Sequence, residues 1–222
     1  MPPDAARSLL RADRAMFEAA FRFNYRPLAY ADPTRVAALA SELPPSVWQR
    51  LRATPRVAGR LSRLLLEQHG LAGEAWWDFT APLRRLALLD GAELLRLARY
   101  AGALLHTEAI RRVIGREVLL LLRRQLGEEG YAFALKRAPF IAVAPARPAP
   151  TDLPAAIDRD GQSCLAAWLG AEPRAVAERV RLKFPPAGAL DAPEPALAGE
   201  AGKKVLAKVL REGDPAWRAY CG

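Results

Sequence analysis

The chain has 222 residues, with a hydrophobic fraction of 51% and a charged fraction of 26%, the balance of an ordinary globular protein. Its length supports a buried core without disulfides or metal, and two distant cysteines, Cys164 and Cys221, exclude a disulfide scaffold and a CxxC zinc site. The formal charge of +9 raises nucleic acid or an anionic membrane as partners, but acids are mixed among the arginines and no run of five basic residues occurs.

In chain order, the first predicted helix runs from about Asp4 to Phe23, with Leu9, Leu10, Phe17, Ala20 and Phe21 at helical spacing, and Pro27 ends it. That opening stretch has no continuous apolar region and carries Asp4, which is not the pattern of a secretory signal. Asp32-Pro33 reads as a cap followed by proline at the first helical position. Further helices are expected from Ser46, from Pro55 to a glycine stop at Gly70, and over Leu83–Leu89. Trp76, Trp77 and Phe79 are expected to fold over the core as a loop or short helix.

Residues 92–129 form the longest helical tract, with the stripe Leu94, Leu97, Ala98, Ala101, Leu104, Leu105, Ala109 and Val113. Within it Gly102 and Gly115 mark either close helix contacts or a break between two helices. The segment VLLLLRRQL, residues 118–126, is apolar most of the way round and is expected at the centre of the core. Apolar runs such as Val118–Leu122 fall far short of the roughly 20 residues that span a bilayer.

Proline then dominates residues 139–154, which read as a linker with a short strand over Phe140–Val143. Asp160 is expected to cap a helix GQSCLAAWLGA, Pro173 to open another, and Val180–Phe184 to form a strand by its alternation. A last helix is expected over about Glu200–Arg211. The fold class is therefore mainly α, with at most a minor two-stranded β element in the C-terminal third. The organisation is a helical core over 1–138, a proline-rich linker over 139–160 and a helical segment over 161–222 packing on that core as one domain.

The stretch LLHTEAIRR, residues 104–112, sets a histidine, a glutamate and two arginines in a leucine-rich tract. On a helix His106 and Glu108 lie about 200° apart, on nearly opposite faces. A two-histidine zinc helix needs histidines at i and i+4, but Ile110 and Gly102 flank His106 at that spacing. The HxE zinc deaminase pattern requires a PCxxC that is absent. The reading is a satisfied, partly buried histidine, with Glu108 paired to Arg111 and Arg112 on the helix surface. Of these two, Arg112 has the better-oriented spacing from Glu108 and is expected to be the more intramolecular. No GxSxG, Walker loop or GxGxxG occurs, and Cys164 sits in an apolar helical pattern as a core residue. The residues give no enzyme, cofactor or metal site.

The segment YAGALLHTEAIRRVI, residues 100–114, resembles the hallmark segment of the type III secretion K proteins, the SctK/YscK family. FRFNYRPLAY at 21–30 and QSCLAAWLGAEPRAVAERVRLKFP at 162–185 are similar to two further segments of that family, in the same order. The resemblance implies a non-enzymatic cytoplasmic adaptor of the injectisome sorting platform. It would link the cytoplasmic domain of the inner-membrane-ring D protein to the pod protein Q, and through Q to the stalk protein L and the ATPase. It implies a cytoplasmic protein held at the inner membrane through the apparatus, with no cofactor, no nucleic acid and no insertion into the membrane. Two roles stay open within the motif. His106, Glu108 and Trp168 fit packing, and Arg111 and Arg112 fit either packing or the docking of an acidic partner. The alternative function is a basic helical protein that binds nucleic acid or a membrane surface, and an enzyme without a recognisable motif is a third.

Overall fold

A computed structural model describes residues 3–41, 43–136, 148–188, 190 and 199–221. Helices make up more than half of the chain, and the described residues contain no strand. The first six helices are α1 (Pro3–Ala12), α2 (Arg14–Tyr25), α3 (Pro33–Ala38), α4 (Pro45–Ala53), α5 (Pro55–Gln68) and α6 (Pro82–Arg85). They are followed by α7 (Gly91–Leu105), α8 (Thr107–Arg111), α9 (Arg116–Lys136), α10 (Leu153–Leu169), α11 (Arg174–Arg181), α12 (Glu200–Glu212) and α13 (Pro215–Cys221). None of the described helices is long and apolar enough to cross a membrane. The chain divides into two compact units, Met1–Gly91 with Pro173–Gly188, and Ala92–Glu172 with Ala189–Gly222.

In the first unit the expected single N-terminal helix is two. Asp13 leaves the helical backbone at φ −153° and accepts the Met16 N–H at 2.9 Å, which caps α2. Asp32 caps α3 in the same way, accepting the Thr34 N–H at 2.8 Å, with Pro33 at the first helical position. Gly70 takes φ +63° after α5, and the Leu71 N–H closes back on the Leu66 carbonyl at 2.7 Å, so the glycine stop is a left-handed C-cap. The aromatic segment is an irregular loop. Buried Asn24 clamps it, donating to the Trp76 carbonyl at 2.7 Å and accepting the Trp76 N–H at 2.8 Å, and Trp77 and Phe79 are buried.

The expected strand at Val180–Phe184 is not a strand. α11 runs through Arg181, and Leu182–Phe184 form a turn whose N–H groups bond to carbonyls three and four residues back. The alternation misleads because Val176, Ala177 and Val180 bury one side of α11 while Leu182 and Phe184 are buried beyond its end. This segment is held by cations that reach backbone carbonyls. The Lys183 ammonium donates to the Ala87 carbonyl at 2.7 Å and to the Leu89 carbonyl, under the rings of Phe23 and Tyr30. Burial pushes its pKa down to about 7, with the neighbouring Arg22 charge acting in the same direction. Arg35 donates to the Phe184 carbonyl at 2.6 Å, and buried Arg179 donates to the Ala175 and Leu71 carbonyls. Arg174 donates to the His69 and Gly70 carbonyls at the C-terminal end of α5, where a cation is electrostatically favoured.

In the second unit α7 and α10 cross at two glycines. A Cβ on Gly102 would lie 2.0 Å from the Ile157 carbonyl oxygen, and one on Gly161 would lie 2.0 Å from the Ala98 carbonyl oxygen. The backbones meet with no room for even a methyl group. Gly102 is thus a contact glycine, whereas Gly115 lies in the break between α8 and α9. α10 starts at Leu153, so residues 153–160, which proline content assigns to the linker, are helical. Pro154 falls in the first turn, where an N–H is not needed. Asp160 is consequently mid-helix and caps nothing. Phe140–Val143 lies outside the described residues. α12 lays buried Val205, Leu206, Val209 and Leu210 along α10. Asp214 caps α13 by accepting the Ala216 N–H, and buried Trp217 meets Tyr100 edge-on at 5.0 Å.

The expectation that residues 118–126 sit in the core centre holds for Leu122 and Leu126, which are buried among Ala103, Ile110, Tyr131, Leu153 and Ile157. It fails for Leu120 and Leu121, which are 56% and 48% exposed. α9 packs one face inward, so four consecutive leucines cannot all be covered. Gly127, at φ +70°, then kinks α9 before its second half.

The glycine crossing gives the first prediction. Gly102→Ala and Gly161→Ala should each lower stability by about 1–3 kcal/mol, because the backbones must separate. Gly59→Ala, in α5 where a Cβ would meet nothing within 4 Å, should leave stability unchanged or raise it by up to about 1 kcal/mol. Urea midpoints of the three variants check this, and equal destabilisation by all three would refute the close crossing.

Candidate functional site

The HTEAIRR segment is a corner. α7 stops at Leu105, and His106 takes φ −100° and ψ 16° between α7 and α8. Its N–H reaches the Gly102 carbonyl at 3.0 Å and its own carbonyl accepts from Ile110 at 2.9 Å, so the chain turns without losing backbone bonds. Thr107 is fully buried and its hydroxyl donates to the Ala103 and Leu104 carbonyls.

At this corner the imidazole points inward. His106 is 3% exposed and its Nε2 lies 2.7 Å from Oδ2 of Asp160, itself 2% exposed. Arg159 donates to the other carboxylate oxygen at 3.0 Å. Burial alone raises the Asp160 carboxyl, and the hydrogen bonds from His106 and Arg159 outweigh it and hold the carboxyl below its ordinary value. An ionised carboxylate only accepts, so Nε2 of His106 carries the proton and donates. This hydrogen bond ties the start of α8 to the middle of α10, close to the glycine crossing.

This pair has the parts of a catalytic dyad and none of its setting. The adjacent thiol, Cys164, lies one helical turn beyond Asp160 with no exposed surface, and burial pushes its pKa up to about 12, helped by the Asp160 charge. A thiol so held is not a nucleophile. Among the described residues no three His, Cys, Asp or Glu side chains are grouped to hold a metal ion. Trp168 is buried one turn further along α10 and donates through its indole N–H to Glu172 at 3.0 Å.

Glu108 lies on α8 with its side chain exposed, whereas His106 is buried. The division of labour between the arginines is the reverse of the expected one. Arg111 pairs with Glu108 at 3.2 Å and also donates to the Leu135 carbonyl, 2.8 Å away near the end of α9. Arg112 stands 3.8 Å from Glu108 with its side chain 58% exposed. The reason is the length of α8, which has five residues and ends at Arg111. Arg112 is its C-cap, so the ideal i, i+4 geometry is lost, while the end of α9 offers Arg111 the Leu135 carbonyl.

Beyond Arg112 the chain presents Ile114, 93% exposed, and then Leu120 and Leu121 on α9. Sequence reasoning missed this apolar tip because it placed the leucine run inside. The one available signal was Gly115, which separates Ile114 from the helix that buries Leu122. This stretch therefore exposes a guanidinium and three aliphatic side chains, next to a corner whose inner face is locked by the buried His106–Asp160 hydrogen bond.

The sequence matches the model of the family described as "YOP proteins translocation protein K (YscK)" over residues 18–216. It is 29% identical over 168 residues to nodulation protein NolU of Rhizobium fredii, covering 75% of this chain and 76% of that protein. The same likeness holds for NolU of Sinorhizobium fredii strain NBRC 101917 / NGR234. No solved structure matches the chain significantly.

Asp160 generates a pH prediction. A carboxyl held below its unfolded value stabilises the fold above that value and loses the contribution as pH falls through the folded pKa. Asp160→Asn should therefore cost about 1–3 kcal/mol at pH 7 and progressively less below about pH 4. Urea unfolding of both proteins at pH 7 and pH 3 measures it. A difference independent of pH would mean that the carboxylate charge contributes nothing.

Proposed function

The chain belongs to the YscK family, which makes it a type III secretion-related protein, and we propose that it serves there as a non-enzymatic cytoplasmic adaptor. In this reading it joins the cytoplasmic domain of the inner-membrane-ring D protein to the pod protein Q, and is linked through Q to the stalk protein L and the ATPase. It is held at the inner membrane by those contacts alone. The observation that carries the reading is the split around the HTEAIRR segment. His106 is locked into the protein, while Arg112 and Ile114, and Leu120 and Leu121 on α9, are exposed.

A short stretch that exposes three aliphatic side chains and an arginine has the make-up of a protein-binding surface. Apolar side chains supply the area removed from water, and a planar guanidinium supplies directed hydrogen bonds to carboxylates. The patch contains no ring on which a base could stack, which favours a protein over a nucleic acid. Arg111 enters this role only indirectly, because its contact with the Leu135 carbonyl fixes the α8–α9 corner that presents the patch.

Titration of purified Q protein and of the D-protein cytoplasmic domain against Arg112→Glu and Ile114→Glu variants tests the proposal. Each variant should bind at least one partner about tenfold more weakly, with thermal stability within about 0.5 kcal/mol of the parent. Arg111→Glu should instead lower stability. Parental affinity of both outer variants for both partners would remove the tip from the interface.

A further inference from the structure

We propose that the first unit carries a second docking site, a groove that accepts an acidic peptide segment of a partner protein. The groove lies between α5, α3 and the turn Pro27–Ala29 and encloses about 610 Å³. Val36 and Leu28 line it from one side, Ala58, Gly59 and Ser62 of α5 from the other, and Arg26 also borders it. The α5 wall is low because these residues are small, and a Cβ on Gly59 would meet nothing within 4 Å. Room for inserted side chains is therefore present in the folded unit.

Charge decides the occupant. α5 sets Arg56, Arg60 and Arg63 at i, i+4 and i+7, within roughly 60° of one another on one face, and Gly59 lies roughly 40° from Arg63 and 60° from Arg56 at the edge of that face. Arg63 has an acid partner, Glu67 at 2.8 Å. Arg56 and Arg60 are exposed and have no ion pair among the described residues. Like charges at this spacing oppose the helix that carries them. The ridge therefore stands ready for carboxylates supplied from outside. The unit as a whole has 17 Lys and Arg against 10 Asp and Glu, so its field attracts an acidic segment from a distance. Apart from Arg26 and Ser62 the described lining is aliphatic or glycine and contains no aromatic face for a base, so a peptide with short apolar side chains between its acids fits better than a nucleic acid.

This site is separate from the α8–α9 tip, and either can fail without the other. The test uses fluorescence anisotropy of the full chain with three labelled probes. The first is a peptide about 18 residues long, enough to hold a helix, with glutamate on one face and alanine and leucine on the other. The second is the same peptide with lysine for glutamate, and the third is an oligothymidylate of similar length. The acidic peptide should bind and the lysine peptide should not. Gly59→Leu, which fills the groove, and the double variant Arg56→Glu/Arg60→Glu should each weaken the acidic peptide about tenfold or more. Gly59→Leu should melt no lower than the parent, because leucine is the better helix former. No binding of the acidic peptide by the parent chain would overturn the proposal. So would unchanged binding by Gly59→Leu, which would reduce the effect to surface charge. Oligothymidylate bound as tightly and lost in the same variants would assign the ridge to nucleic acid instead.

Discussion

Where α7 crosses α10, neither backbone tolerates a side chain, and the second unit is arranged around that constraint. Gly102 and Gly161 let the helices touch main chain to main chain. Such proximity gains dispersion contacts but leaves little lateral freedom, so the ends of the helices must be fixed by something directional. The buried His106–Asp160 pair supplies it. Removing water from a carboxylate is costly, and the gain must come from geometry and the hydrogen bonds it receives. Here Asp160 receives donors on both oxygens, and the histidine stands where α7 ends. The helix break and the inward imidazole then meet at one residue, His106, and the short helix that follows buries Thr107 and Ile110 and leaves Glu108 and Arg112 at the surface.

Basicity in the first unit has a related explanation. Arg35, Arg174, Arg179 and Lys183 all donate to main-chain carbonyls, and they join the 173–188 segment to the rest of the unit. A guanidinium reaches several carbonyls at once, and a lysine buried under two rings finds acceptors that an aliphatic residue would leave bare. Part of the excess positive charge is thus structural. Of the charge left on the surface, Arg56, Arg60 and Arg63 lie together on one face of α5, whose small residues line a groove.

Much of this was legible in the sequence. Capping residues and prolines announced α3, α5 and α11, and the helical stripe announced α7, because those signals act within a few residues. The burial of His106 and of Cys164 followed from the apolar company they keep. Asp160 was misread as a cap because its partner lies 54 positions away, and no local pattern carries that distance. Val180–Phe184 was misread because a buried helix end and an edge strand share the same alternation over five residues. The exposed Leu120 and Leu121 were hidden by their neighbours, since a run of leucines does not say which of them face inward. Arg111 and Arg112 exchanged roles because α8 is too short for ideal helix geometry to apply.

The central claim is that His106 of the HTEAIRR segment holds α7, α8 and α10 together as one of a directly interacting pair with Asp160. A double-mutant cycle measures this most directly, with urea unfolding at pH 7 of the parent, His106→Ala, Asp160→Ala and the double variant. The coupling energy should be at least about 1 kcal/mol, with the double variant little worse than either single one. Additive losses, within about 0.5 kcal/mol, would show that the two side chains do not act on each other and would contradict the account.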